Sequence, residues 1–303
     1  MKALPPALGG ERFEFDSTAG RLSCYVAGRG APLLLLHSVN AAASAAEVRP
    51  LYEHWQATRT VFALDLPGYG HSDRSDRAYT PRLMTDALHA TLAQIESRGG
   101  QQSVDALAVS LGCEFLARAA VEAPRRFRSL ALVSPTGFNG TRRRRGPPGS
   151  VVGAPWIGRL LRGPGWGAPL FRALTRPSVI RYFLRRTWGG PEIDVEMARH
   201  AEWTTRVPGA EHAPLAFLSA QLFSADIHTV YDQLTQPVWM SHGVRGDFVD
   251  YRGKKTLAGR ANWRFTVFPT GALPYFEVPG DFNAAFGDFL ASAASPARRS
   301  GPG

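Results

Sequence analysis

The sequence predicts an α/β protein built on a mostly parallel, doubly wound sheet, with N-terminal antiparallel strands and an inserted helical lid. Three observations carry this reading. Short, continuous apolar runs recur through the first half of the chain, amphipathic stretches of helical period fill the intervals, and the rhythm resumes after a long Gly-, Pro-, Trp- and Arg-rich segment. A short apolar run without alternation marks a strand buried on both faces of a parallel sheet. Strand and helix in alternation require crossover connections, which generate that sheet.

The elements follow in order. Residues 11–27 alternate as an antiparallel pair of strands with Ala19-Gly20 at the turn. Pro32 to His37 is the first buried run, followed by Val61 to Asp65, Ser103 to Val109 and Leu130 to Val133, with helices expected at about 45–57, 81–98 and 110–124. Residues 137–225 show short helical pieces and no strand alternation, so they read as a lid between two sheet strands. Strands return at Pro237 to His242 and Asn262 to Phe268, and a helix at about 278–292 closes the fold. The expected organisation is a core of residues 1–136 and 226–296, a lid of 137–225 and a frayed tail of 297–303.

Composition narrows the class. With 303 residues, 44% hydrophobic and 20% charged, the chain can bury a full core and is not a disordered polymer. Its two cysteines, Cys24 and Cys113, are too few for a disulfide framework and suit no metal site, so they read as buried apolar residues of a reducing cytoplasm. No apolar run reaches the roughly 18–20 residues that span a bilayer, and the N-terminus lacks a leader's apolar stretch, so a cytoplasmic, non-transmembrane protein is expected. The net charge of +10 is local: Thr141 to Gly190 holds eleven arginines and no Asp, Glu or Lys. Nucleic acid is not expected as a partner, because no recognition motif accompanies the charge.

The chemistry centres on Ala108-Val109-Ser110-Leu111-Gly112, which ends a predicted strand and opens a predicted helix. A sharp strand-to-helix turn flanked by small residues presents a serine as an exposed nucleophile. With it stand Leu33 to His37 followed by Ser38-Val39-Asn40, the loop Asp65-Leu66-Pro67-Gly68-Tyr69-Gly70-His71-Ser72-Asp73, the segment Gly243 to Asp247, and Phe268 to Glu277. In this order the motifs resemble the α/β-hydrolase superfamily, on its lidded branch. The resemblance implies an α/β-hydrolase fold with Ser110 as nucleophile, Asp247 as the orienting acid, and backbone N–H groups of Leu111 and of Val39 or Ser38 as oxyanion donors. It also places His37 and Asn40 beside the substrate. A serine at the nucleophile position argues against the dehalogenases and epoxide hydrolases of that branch, which resemble this chain but use aspartate.

The departure from the pattern is Ala272. The resemblance puts the catalytic histidine there, yet the chain reads Gly271-Ala272-Leu273-Pro274, and alanine can neither take nor give a proton. Tyr275 is no substitute, since a phenol near its ordinary pKa of about 10 is a weak base at neutral pH. His37, His71 and His242 each fit a structural role; His54, His89, His200, His212 and His228 lie outside the motifs, and of these a lid histidine, His200 or His212, could hang over the pocket. Loss of the base from a serine triad costs about 10⁴–10⁶ in turnover. The alanine fits either a natural loss or an introduced substitution.

Two functions are therefore expected in competition. One is a serine-esterase-like hydrolase acting on a hydrophobic ester, thioester or related carbonyl compound, without metal or cofactor and impaired at Ala272. The other is a ligand-binding or cyclase/lyase-like protein that keeps the pocket and oxyanion hole without a working triad. The arginine-rich lid suggests an anionic partner, because guanidinium pairs with phosphate or carboxylate through two parallel hydrogen bonds.

Overall fold

The computed structural model describes residues 3–141, 143–161, 163, 165–246 and 250–294. Its centre is an eight-stranded sheet of β1 (Glu11–Ser17), β2 (Gly20–Ala27), β3 (Pro32–Leu36), β4 (Thr60–Asp65), β5 (Val104–Val109), β6 (Phe127–Val133), β7 (Val238–His242) and β8 (Trp263–Val267). The spatial order is β1-β2-β4-β3-β5-β6-β7-β8. Only the β1–β2 and β2–β4 pairs are antiparallel; β3 to β8 run parallel. Their C-terminal ends therefore lie along one edge, where open α/β sheets gather their loops into a crevice.

The apolar runs bury both faces of the sheet. Leu34, Leu36, Phe62, Leu64, Ala106, Ala108, Leu130 and Leu132 face one core, and Leu33, Leu35, Val61, Ala63, Leu107, Val109, Ala131 and Val133 face the other. This period of two, with both phases apolar, is why the strands show no polar alternation. Helices α2 (Pro81–Gly99) and α3 (Gly112–Glu122) cover the first core; α1 (Arg49–Trp55) covers the second. The stretch expected as one helix at 45–57 divides into a 3₁₀ turn, Ala45–Val48, and α1. Pro50, at the start of α1, has no N–H to donate and fits only a first turn.

Between β6 and β7 run α4 (Pro155–Leu161), α5 (Gly167–Leu174), α6 (Pro177–Trp188), α7 (Val195–Thr204), α8 (His212–Leu218) and α9 (Ile227–Gln233). The last of these was not expected from the sequence. Two contacts from α3 fasten this insert. The buried Glu114 carboxylate accepts from Thr136 Oγ1 (2.6 Å) and Ser224 N–H (2.8 Å), and Arg118 pairs with Asp226 at 2.6 Å. Burial raises the Glu114 pKa, with those two donors working against the shift. Helices α10 (Pro274–Glu277) and α11 (Pro279–Ala294) finish the described chain, with Phe282, Phe286, Phe289 and Leu290 under the sheet. The end of the core and the tail, from residue 295 on, lie outside the described residues.

At the opposite end of the strands, Asp105 is fully buried and accepts from Arg59 (2.6 Å), Arg128 and Ser129 Oγ (2.6 Å). Asp105→Ala should cost about 3–5 kcal/mol in urea unfolding, because it strands two half-buried guanidinium groups. An equal loss from Arg59→Ala alone is not expected, since Arg128 would still hold the carboxylate.

Candidate active site

The site is built from the loops at the C-terminal ends of β3, β5, β7 and β8. Ser110 follows β5 directly and has φ +52°, a conformation that L-residues rarely adopt and that costs about 1–3 kcal/mol. Its N–H donates to Val133 O of the neighbouring strand at 2.8 Å, which fixes the turn. A side chain at Gly112 would start 2.6 Å from the His37 carbonyl, so the helix can follow this closely only with glycine there. The Ala108 methyl would stand 3.8 Å from that same point, ordinary contact, so a small residue at 108 leaves the turn its room. Ser110 is half-buried, and its Oγ bonds to no described residue.

The loop after β3 is held by a residue the sequence did not single out. The buried Glu47 carboxylate accepts from Ser38 N–H (2.6 Å), Ser38 Oγ (2.8 Å) and Asn40 Nδ2 (2.9 Å). The Ser38 amide, expected as a possible oxyanion donor, is thus already spoken for by a carboxylate. The amides of Val39 and Leu111, both buried, donate to no described residue. Asn40 is committed on both sides, since its Oδ1 also accepts from Ala42 N–H at 2.7 Å. His37, fully buried, donates from Nδ1 to Ser38 O and accepts at Nε2 from Leu66 N–H (3.0 Å). These two side chains were expected beside the substrate, and their hydrogen bonds hold the loop.

Of the expected constellation, Asp247 lies outside the described residues. Ala272 is partly exposed in the loop after β8; its N–H donates to Thr187 O (2.8 Å) and its carbonyl accepts from Ser134 Oγ (2.6 Å). The end of α6 is therefore docked on the loop where the resemblance expects a histidine. A side chain at Gly271 would start 2.3 Å from Trp188 O, one at Gly243 1.9 Å from Gly271 O, and one at Gly189 2.6 Å from Arg245 Cβ. Three glycines thus let the loops after β7 and β8 and the end of α6 touch backbone to backbone. Glu277 adds a polar tie, accepting from Gly271 N–H (2.7 Å) and pairing with Arg245.

No imidazole among the described residues is hydrogen-bonded to Ser110. His242 donates from Nδ1 to Gly243 O (2.7 Å), accepts from Lys254 Nζ (2.7 Å) and stacks on Tyr251; burial lowers its pKa. His71 approaches Pro5 O, and His212 lies 3.6 Å from Asp76. Tyr275 is fully buried, donates to Glu47 O (3.0 Å), and has its pKa pushed up by burial, so it offers no base.

His200, on α7, is buried with Nε2 unpartnered among the described residues, and burial pulls its pKa down to about 4. A folded pKa below the unfolded value means that the unfolded chain takes the proton first as pH falls. The contribution of the neutral ring is complete above about pH 6.5 and is lost on descending towards about 4. His200→Gln should flatten the pH dependence of stability in that window; an unchanged slope between the two proteins would refute the assignment.

Comparison with known proteins agrees with this architecture. The family profile of the alpha/beta hydrolase fold matches residues 31–153. A curated relative, the dihydrolipoyllysine-residue acetyltransferase component of the acetoin cleaving system of Cupriavidus necator, is 39% identical over 82 residues. That match is 26% of this chain and 20% of the relative, so the chain corresponds to about a fifth of that protein's length. Among solved structures, a probable hydrolytic enzyme of Pseudomonas aeruginosa superposes with a TM-score of 0.71 at 19% identity, covering 97% of each chain. The 2-hydroxy-6-oxo-6-phenylhexa-2,4-dienoate hydrolase of a Rhodococcus species gives 0.69 at 20% identity, over 93% of this chain and 100% of that one. The sheet order, the turn at Ser110 and these matches together identify the chain as a protein of the α/β-hydrolase fold.

Proposed function

We propose that the chain is a serine hydrolase by descent, acting on a hydrophobic ester, thioester or related carbonyl compound under a lid formed by the β6–β7 insert. Ser110 is the nucleophile, and the Val39 and Leu111 amides receive the oxyanion. The observation that supports this reading most is the positive φ of Ser110 at the end of β5, beside two buried amides with no other partner among the described residues. A strained turn of this kind serves no purpose in a plain helix start, where an extended residue caps at lower cost.

With alanine at 272, Ser110 lacks a partner to take its proton, and ester turnover by the unaltered chain is slow. The test is hydrolysis of p-nitrophenyl esters of increasing chain length by the chain, by Ala272→His, and by Ala272→His with Ser110→Ala. A gain that appears with the histidine and vanishes with the serine supports the proposal. Background rates in all three folded proteins would overturn it.

One observation favours a second reading, in which the pocket binds or isomerises a carbonyl compound without covalent catalysis. None of the described histidine rings reaches Ser110, while the oxyanion loop is held in place by Glu47. Polarising a carbonyl needs only those amides. Retention of an apolar carbonyl ligand by the unaltered chain, unaffected by Ser110→Ala, would distinguish this case.

A further inference from the structure

The outer surface of the β6–β7 insert has a chemistry of its own. Trp156 and Leu160 on α4, Trp166 at the start of α5, and Tyr182 and Phe183 on α6 all project into solvent, the two tryptophans at 61% and 73% exposure. Large rings are normally among the more deeply buried side chains, and a cluster of exposed ones marks an interaction surface. The helices are neighbours: α5 packs on both α6 and α8, and α4 packs on α8.

Cations are interleaved with these rings. Arg159, Arg172, Arg176 and Arg185 are exposed and pair with no carboxylate among the described residues. The stretch from Thr141 to Gly190 contains no acidic residue to neutralise them. An open cleft of about 430 Å³ lies at the end of α6, lined by Tyr182, Arg185, Arg186 and the turn Gly189 to Pro191. Arg186 reaches back to the Tyr182 hydroxyl at 2.5 Å, which places a guanidinium and a phenol at the same rim.

We propose that this face docks on a bilayer containing anionic phospholipid, with the aromatic and leucine side chains at the headgroup boundary and the arginines on lipid phosphates. The indole, leucine, phenol and phenyl side chains protrude from α4, the start of α5 and α6 rather than lining a groove of their own. A deformable interface accepts them individually, and indoles concentrate at that depth. The arginines add a favourable term that scales with anionic lipid content and weakens with salt. The docking does not depend on the chemistry at Ser110.

The test is co-sedimentation of the full chain with phosphatidylcholine vesicles, with and without phosphatidylglycerol, at rising salt. Tryptophan quenching by brominated acyl chains is followed alongside. Binding is expected only with phosphatidylglycerol, with quenching, and with a loss of about five-fold in partitioning for each of Arg159→Gln and Arg172→Gln. Trp156→Ser with Trp166→Ser should weaken binding at constant charge and reduce the quenching. Failure of the folded, unaltered chain to bind these vesicles overturns the proposal. So does binding without quenching that polyglutamate removes, since that would mark the face as a site for an acidic macromolecule. The unaltered protein supplies both decisive readouts even if a variant does not fold.

Discussion

Ala272→His should raise the turnover of short p-nitrophenyl esters by about 10²–10⁴, the range that a positioned general base contributes. The upper end requires the new imidazole to reach Ser110 Oγ, whose hydroxyl has no competing described partner. The backbone at 272 is fixed on both sides, by Thr187 O and Ser134 Oγ, so the substitution changes the side chain without freeing the loop. The gain should be lost as pH falls through the pKa of the imidazole, since only the neutral ring takes the serine proton. Ser110→Ala in the same background should return the rate to that of the unaltered chain. A gain that survives Ser110→Ala would assign the chemistry to the introduced histidine alone.

Glu47→Ala should destabilise the protein by about 2–4 kcal/mol, because it leaves the Ser38 N–H and hydroxyl without their acceptor in a buried loop and removes one of the two acceptors of Asn40 Nδ2. The same carboxylate fixes the direction of the Ser38–Asn40 backbone, so its loss should also loosen the Val39 amide. Glu47→Gln retains one carbonyl oxygen but turns an NH2 group towards a donor. It should keep most of the fold and still lower kcat, with little change in KM, when placed in the Ala272→His background. Urea unfolding measures the first effect and steady-state kinetics the second. A Glu47→Gln protein with unaltered kcat would remove Glu47 from the set of positioning residues.

Legibility in the sequence followed chemistry that is local. Leu33 to Leu36 could be read because both faces of β3 are apolar, and the turn at Ser110 because strand, small residues and helix are adjacent. Glu47 could not: it stands in an amphipathic stretch, and its partners are backbone and short polar groups nine and seven residues away. A lone carboxylate between apolar neighbours, in Ala-Ala-Glu-Val, was the only signal. The Asp105 cluster was hidden for a similar reason, since Arg59 and Arg128 meet it only once β5 is flanked by its neighbours. In the insert, short helices joined by glycine and proline carry too little periodicity to fix their bounds.

The backbone-to-backbone joint at Gly189, Gly243 and Gly271 makes the insert a lever with a fixed fulcrum. Motion there would have to separate main chains that touch without intervening side chains, so the pivot is stiff. The far arm, α4 and α5, packs on α6 and α8 and is tied near residues 152–154 by hydrogen bonds to Phe223 O, to Ala220 O and from Gln221 Nε2. Any opening of the insert should therefore leave this joint closed and part the contacts that α4 and α5 make with α6 and α8.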